Sequence, residues 1–141
     1  MTDIVNKRYV EERVEEWKRR LESLYALVVE PLADLKGVRY EKKRQVTIHE
    51  GLMQNFHVSP QQLPILDIYK DEIIVVSFMP IGLWVIGANG RIDILTEKGA
   101  FILVDKAEYS QPPEWNVFSP QNRGSGSSLD SSFILELVRQ A

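Results

Sequence analysis

The sequence predicts an α+β fold: a long N-terminal helix, an antiparallel meander of about six or seven strands, and a short C-terminal helix. Three observations predict it. Apolar residues near the N-terminus recur at alternating spacings of four and three. From Val38 the apolar period drops to two. A second stripe at helical spacing closes the chain.

The first helix is expected over residues 6–29. Val10, Val14, Trp17, Leu21, Leu24 and Val28 form its apolar stripe, and Glu12, Glu15, Glu16, Arg19 and Glu22 its polar face. Glu15 and Arg19, like Glu16 and Arg20, stand four apart with the acid on the N-terminal side, the favourable order. Pro31 opens a further helical turn, and Gly37 can end it in the left-handed region.

Strands follow. Val46 and Ile48 alternate with polar residues, as do Phe56 and Val58, and Glu50-Gly51-Leu52 between them suits a three-residue hairpin loop. Residues 59–64 form a proline-rich connection. Strands are expected over 65–69, 72–78, 83–86, 91–96 and 100–105, with turns at Lys70-Asp71, at residues 87–90 and at Lys98-Gly99. A short apolar segment at 115–118 precedes a Gly/Ser-rich loop over 119–128. The last helix spans roughly 129–139, capped by Ser127 or Ser128, with Phe133, Ile134, Leu137 and Val138 as its buried stripe. The domain plan is one α+β unit: a helical segment 1–37, a sheet 38–118, the loop 119–128 and the C-terminal helix 129–141.

Composition supports one folded domain. The chain has 141 residues, 44% apolar and 26% charged, which excludes disordered, collagen-like and disulfide-stapled classes. With no cysteine, thiol catalysis and cysteine-ligated metals are excluded. Residues 1–20 alternate charges without an apolar signal core, and no apolar run approaches the ~20 residues of a spanning helix, so a soluble, cytoplasmic protein with no membrane partner is expected. Net charge is −3, divided as +2 over residues 1–44 and −5 over the remainder. That acidic majority argues against nucleic-acid binding. A local basic group, Arg39 with Lys42, Lys43 and Arg44, is the candidate anion contact.

No constellation amounts to a catalytic site, and no cofactor or metal is implied. The two histidines, His49 and His57, fall about 13 Å apart in the expected hairpin, too far to share an ion. The serines of residues 124–128 lack the Gly-x-Ser-x-Gly elbow and a partner His.

The strongest functional signal is the second face of the meander. Pairing puts Leu83, Val85, Ile92, Ile94, Phe101 and Leu103 on one face. The other carries Trp84, Ile86, Leu95, Ile102 and Val104, interrupted by Arg91, Asp93 and Glu97. The first helix can cover one face, but the second helix, about 16 Å long, cannot hide the other. An uncovered apolar face marks an interaction site. The expected function is therefore binding or regulation through Trp84, Ile86, Arg91, Asp93, Leu95 and Val104, with a protein partner or a second copy. The alternative is a small-ligand pocket or enzyme site between sheet and helix, with Trp84 as wall and Asp93 as polar group.

Overall fold

A computed structural model of the chain describes residues 5–85 and 88–141. Helix α1 (Lys7–Val29) begins where Asn6 takes a hydrogen bond from the Tyr9 amide at 2.9 Å, satisfying one of the first-turn donors. All six residues of the predicted stripe are buried, together with two that the stripe does not contain, Arg20 and Tyr25. A single 3-10 turn, Glu30–Leu32, follows, and Gly37 has a φ of 74°, the left-handed conformation expected of it.

The strands are β1 (Val38–Glu41), β2 (Gln45–Ile48), β3 (Gln61–Pro64), β4 (Leu66–Lys70), β5 (Ile73–Val85), β6 (Ala88–Thr96), β7 (Gly99–Asp105), β8 (Trp115–Ser119) and β9 (Asn122–Ser128). A short helix, α2 (Gly51–Asn55), lies between β2 and β3, and α3 (Ser131–Arg139) ends the chain. Seven strands form one sheet in the order β1-β4-β5-β6-β7-β8-β9, every pairing antiparallel; β2 and β3 make a separate ribbon.

Three segments differ from the sequence expectation. The 46–58 hairpin does not form: β2 pairs with β3, setting Val46 opposite Leu63, and residues 51–55 are helical. Leu52, Met53 and Phe56 fit the helical period as well as alternation fits a strand, and the helical turn buries Met53 completely. Residues 73–85 form one strand rather than two. A bulge between Pro80 and Gly82 absorbs both breakers, and Ala88 to Gly90 belong to β6 rather than to the turn. Residues 119–128, expected as a loop, instead supply the end of β8 and all of β9. The Phe118 ring sits where a side chain at Gly126 would be, 2.7 Å from the ideal Cβ position, so this glycine serves close packing. The cap of α3 is Asp130, which accepts from the Phe133 amide at 2.8 Å, rather than either serine.

Helices α1 and α3 lie on one side of the sheet. Residues of α1 and α3 share a single core with Ile92, Ile94 and Leu103, and Phe133 of α3 meets Phe101 of β7 edge-on, ring centroids 5.5 Å apart. Trp17 sits against the backbone of Gly90; a Cβ there would come within 2.2 Å of the indole, and Gly90 has a φ of 117°.

One turn along α1 from Trp17, Arg20 carries its charge into the interior. It pairs with Asp105 at 2.5 Å and Glu16 at 2.6 Å, and donates to the Glu108 and Gln111 carbonyls. Asp105, fully buried, also accepts from the Ala107 and Glu114 amides, and Glu16 from that of Ser110. The network fastens α1 to the end of β7 and to the loop 106–114. Removing one partner leaves a buried charge unpaired, so Asp105→Leu is expected to lower unfolding free energy by about 3–5 kcal/mol. Combining it with Arg20→Met should restore part of that loss in urea titrations. Gly90→Ala is expected to cost at least about 1–3 kcal/mol in the same assay, because it adds overpacking against Trp17 to an unfavourable φ.

Candidate docking surface

Directly opposed residues of an antiparallel ladder share a face. On the side away from the helices, the register aligns Asp67, Ser77, Leu95 and Ala100 in one row. Met79, Asp93, Ile102 and Phe118 form a second row, and Arg91, Val104, Asn116 and Ser128 a third. Met79, Leu95, Ile102, Val104 and Phe118 lie outside the core cluster, and Leu95 is 37% exposed. Arg91 and Asp93, two apart on β6, form a forked ion pair at 2.9 and 3.3 Å in the middle of this apolar ground. Their side chains are 37% and 18% exposed. The arrangement sets a neutral but strongly dipolar pair within apolar area.

Of the residues singled out in the sequence, the structure brings Arg91, Asp93, Leu95 and Val104 together on this outer face. Trp84 does not join them. It packs against the core, with the Arg13 guanidinium of α1 over its ring at 5.8 Å. Its ladder partner Asn89 is buried and accepts from Arg13 at 2.7 Å. Regular alternation fails here for a local reason. The consecutive amides of Leu83 and Trp84 both donate to the Glu50 carboxylate, at 3.0 to 3.2 Å, which a regular strand cannot do. Beyond the bulge, the end of the hairpin thus turns to the helix side. Ile86 lies outside the described residues. Met79 and Phe118 complete the face unforeseen. Alternation does not reveal them, because Pro80 and Gly82 look like a break beside Met79 and no turn signal pairs Phe118 with β7.

The basic group is largely neutralised. Arg39 pairs with Glu72 and Glu41, each at 2.9 Å, Lys43 with Glu41 at 3.5 Å, and Arg44 with Asp67 at 2.7 Å. Among the described residues, only Lys42 of the four forms no ion pair. Hydrogen bonds from Arg39 hold the Glu41 and Glu72 carboxyls below the usual range. His49 bonds the Val58 carbonyl through Nε2 at 3.1 Å, and His57 sits in a left-handed turn at φ 57°. Two depressions flank the end of α3. One, of about 150 Å³, is bordered by Thr96, Phe101 and Leu137; the other, of about 410 Å³, by Ile73, Ile74 and Leu95. Neither Trp84 nor Asp93 borders either one.

Comparison of the chain with protein-family models, with curated proteins and with solved structures gave no match in any of the three.

At the β4 border of the face, Asp67 is 2% exposed. It receives two hydrogen bonds from Arg44, at 2.7 and 2.8 Å, and one from Ser77 at 2.6 Å. Arg44 first, then Ser77, lower its pKa against the opposing effect of burial. A carboxyl depressed in the folded state contributes stability that is complete above its unfolded value, about 3.9, and is lost as pH falls through the folded value. Arg44→Gln should therefore lower stability at neutral pH. It should also flatten the fall in unfolding free energy as pH drops below about 4. Urea titrations across that range check both effects, and equal acid slopes for the two proteins would contradict the linkage.

Proposed function

We propose that the protein is a binding module that docks a protein partner on the outer face of its sheet, around Arg91, Asp93, Leu95 and Val104. The observation carrying this reading is one-sided coverage. Helices α1 and α3 pack on the opposite face, so Met79, Leu95, Ile102, Val104 and Phe118 lie outside the core, half-buried or exposed, with only the Lys106 ammonium set over the Phe118 ring at 5.3 Å among the described residues. At about 25 cal/mol per Å² of apolar surface, covering even a few of these side chains supplies several kcal/mol to association. The ion pair adds orientation, because a partner must present charges in a matching order. The pocket reading has less support. Trp84 faces α1 while Asp93 lies on the outer face in a closed pair with Arg91, so the two do not form one wall.

Hydroxyl-radical footprinting tests the docking reading without presupposing the partner. In cells of the native host, oxidation of Phe118 should fall severalfold below that of dilute purified protein. The double variant Leu95→Asp with Val104→Asp should remove this protection while its circular dichroism stays native. Equal oxidation in both settings would overturn the reading, and so would unfolding of the double variant, which would make these residues core.

A further inference from the structure

We infer that the outer face is self-complementary and that its occupant is a second copy of this chain, packed with its β6 running in the opposite direction; this inference rests on the docking reading above. The charge order carries it. Arg91 and Asp93 occupy neighbouring rows of one strand, and both point outward. Consider a two-fold axis lying between two such faces, perpendicular to the strands and crossing β6 between these rows. It sets each Arg91 opposite the other copy's Asp93. The two ion pairs then close into a ring of four alternating charges, in which each group keeps its own partner and gains a second. No net charge is buried, which removes the main penalty of desolvating such groups.

The neighbouring strand agrees with the same axis. Val104 stands beside Arg91 and Ile102 beside Asp93, so the rotation that matches the charges also sets Val104 against the other copy's Ile102. On β6 cation meets anion and on β7 apolar meets apolar under one operation, as an isologous interface requires, while on β8 the amide of Asn116 comes to the edge of the other copy's Phe118. The alternative two-fold, parallel to the strands, would place Arg91 on Arg91 and Asp93 on Asp93. It is disfavoured by like-charge repulsion.

Size sets the strength. Four strands about 4.8 Å apart, over about five residues of 3.3 Å each, span only about 300 Å² in plan. A standard stable interface buries roughly 800 Å² of accessible surface on each partner, so the dimer belongs to the weak, concentration-dependent class.

The test is sedimentation velocity on the full chain from about 1 µM to about 1 mM, a range that brackets weak association. The wild type should pass from monomer to dimer. Arg91→Asp and Asp93→Arg should each remain monomeric with native circular dichroism, since each creates a ring of four like charges. Mixing the two should restore a dimer, because one copy then carries two acids and the other two bases. As a geometric check that leaves the ion pair intact, Ile102→Cys and Val104→Cys can be treated with a short bis-maleimide; the native chain has no cysteine to interfere. The mixture should cross-link severalfold faster than either variant alone.

A wild type that stays monomeric throughout, or charge variants that still dimerise, would overturn the second-copy inference. So would a mixture that neither re-associates nor cross-links preferentially. If Phe118 is protected in cells while the pure protein stays monomeric, the docking face survives and its occupant is a different protein. Loss of protection would bring down the face itself.

Discussion

The guanidinium of Arg20 lies almost out of reach of water, and the seating of the long helix follows from what it bonds. Asp105 at the end of β7 answers it, Glu16 flanks it, and the carbonyls of loop 106–114 take its remaining donors. A buried network of this kind is weak as a source of net stability, since desolvation offsets most of the attraction. Its value is positional. With Arg20 fixed over the end of β7, Trp17, one turn back on α1, comes down on the bare backbone of Gly90, the one approach that lets an indole sit flush with the sheet. Shifting the helix along the sheet would unpair a charge and drive a ring into a strand together.

With α1 so placed and α3 joining the same core through Phe133, Ile134 and Val138, the helical mass is all on one side. A seven-stranded antiparallel sheet can leave one side to solvent when that side is polar. Here it is polar towards β4, where Asp67, Ser77 and Arg44 knit a local cluster, around the Arg91 and Asp93 pair, and at Asn116 and Ser128 on β8 and β9. Between and beyond these lie methionine, leucine, isoleucine, valine and phenylalanine. Charge is thus placed at the centre and at one margin of an otherwise oily surface, a distribution suited to orienting a contact as much as to strengthening it.

Much of this architecture is legible in the chain. The α1 stripe, the left-handed Gly37 and the inner face of β6 and β7 follow from period and turn chemistry, because there each residue's local preference and its tertiary role coincide. Legibility fails where the two conflict. Met53 and its neighbours fit two periods, and only burial chooses the helical one. Pro80 and Gly82 look like a break in a strand, yet a bulge carries the strand through them. Glycines and serines at 122–128 look like a flexible linker, and only the ring of Phe118 gives Gly126 a structural purpose. Arg20 belongs to a surface ion pair by spacing, since nothing local announces Asp105, 85 residues away. Of the candidate surface, the β6 and β7 members were readable from register alone. Trp84 departs from the face that alternation assigns it, because at Leu83 and Trp84 consecutive amides turn to the same carboxylate.

The last strand holds a consequence for how the molecule opens. Every residue of β9 is exposed, and its glycines and serines bury almost no apolar area of their own. Its attachment comes from main-chain pairing with β8, from the aromatic ring laid across it, and from Arg123, which donates to the Phe118 and Ala100 carbonyls at 3.1 and 2.6 Å. Local unfolding begins where little surface is gained by staying closed. This margin should therefore be the first cooperative unit to detach, at a free-energy cost well below that of global unfolding, leaving the helix-backed interior shut. Its detachment would take away the glycine backbone on which Phe118 rests and leave the rim of the sheet unpaired at β8, giving the molecule a second, transient form that differs from the resting one along a single border.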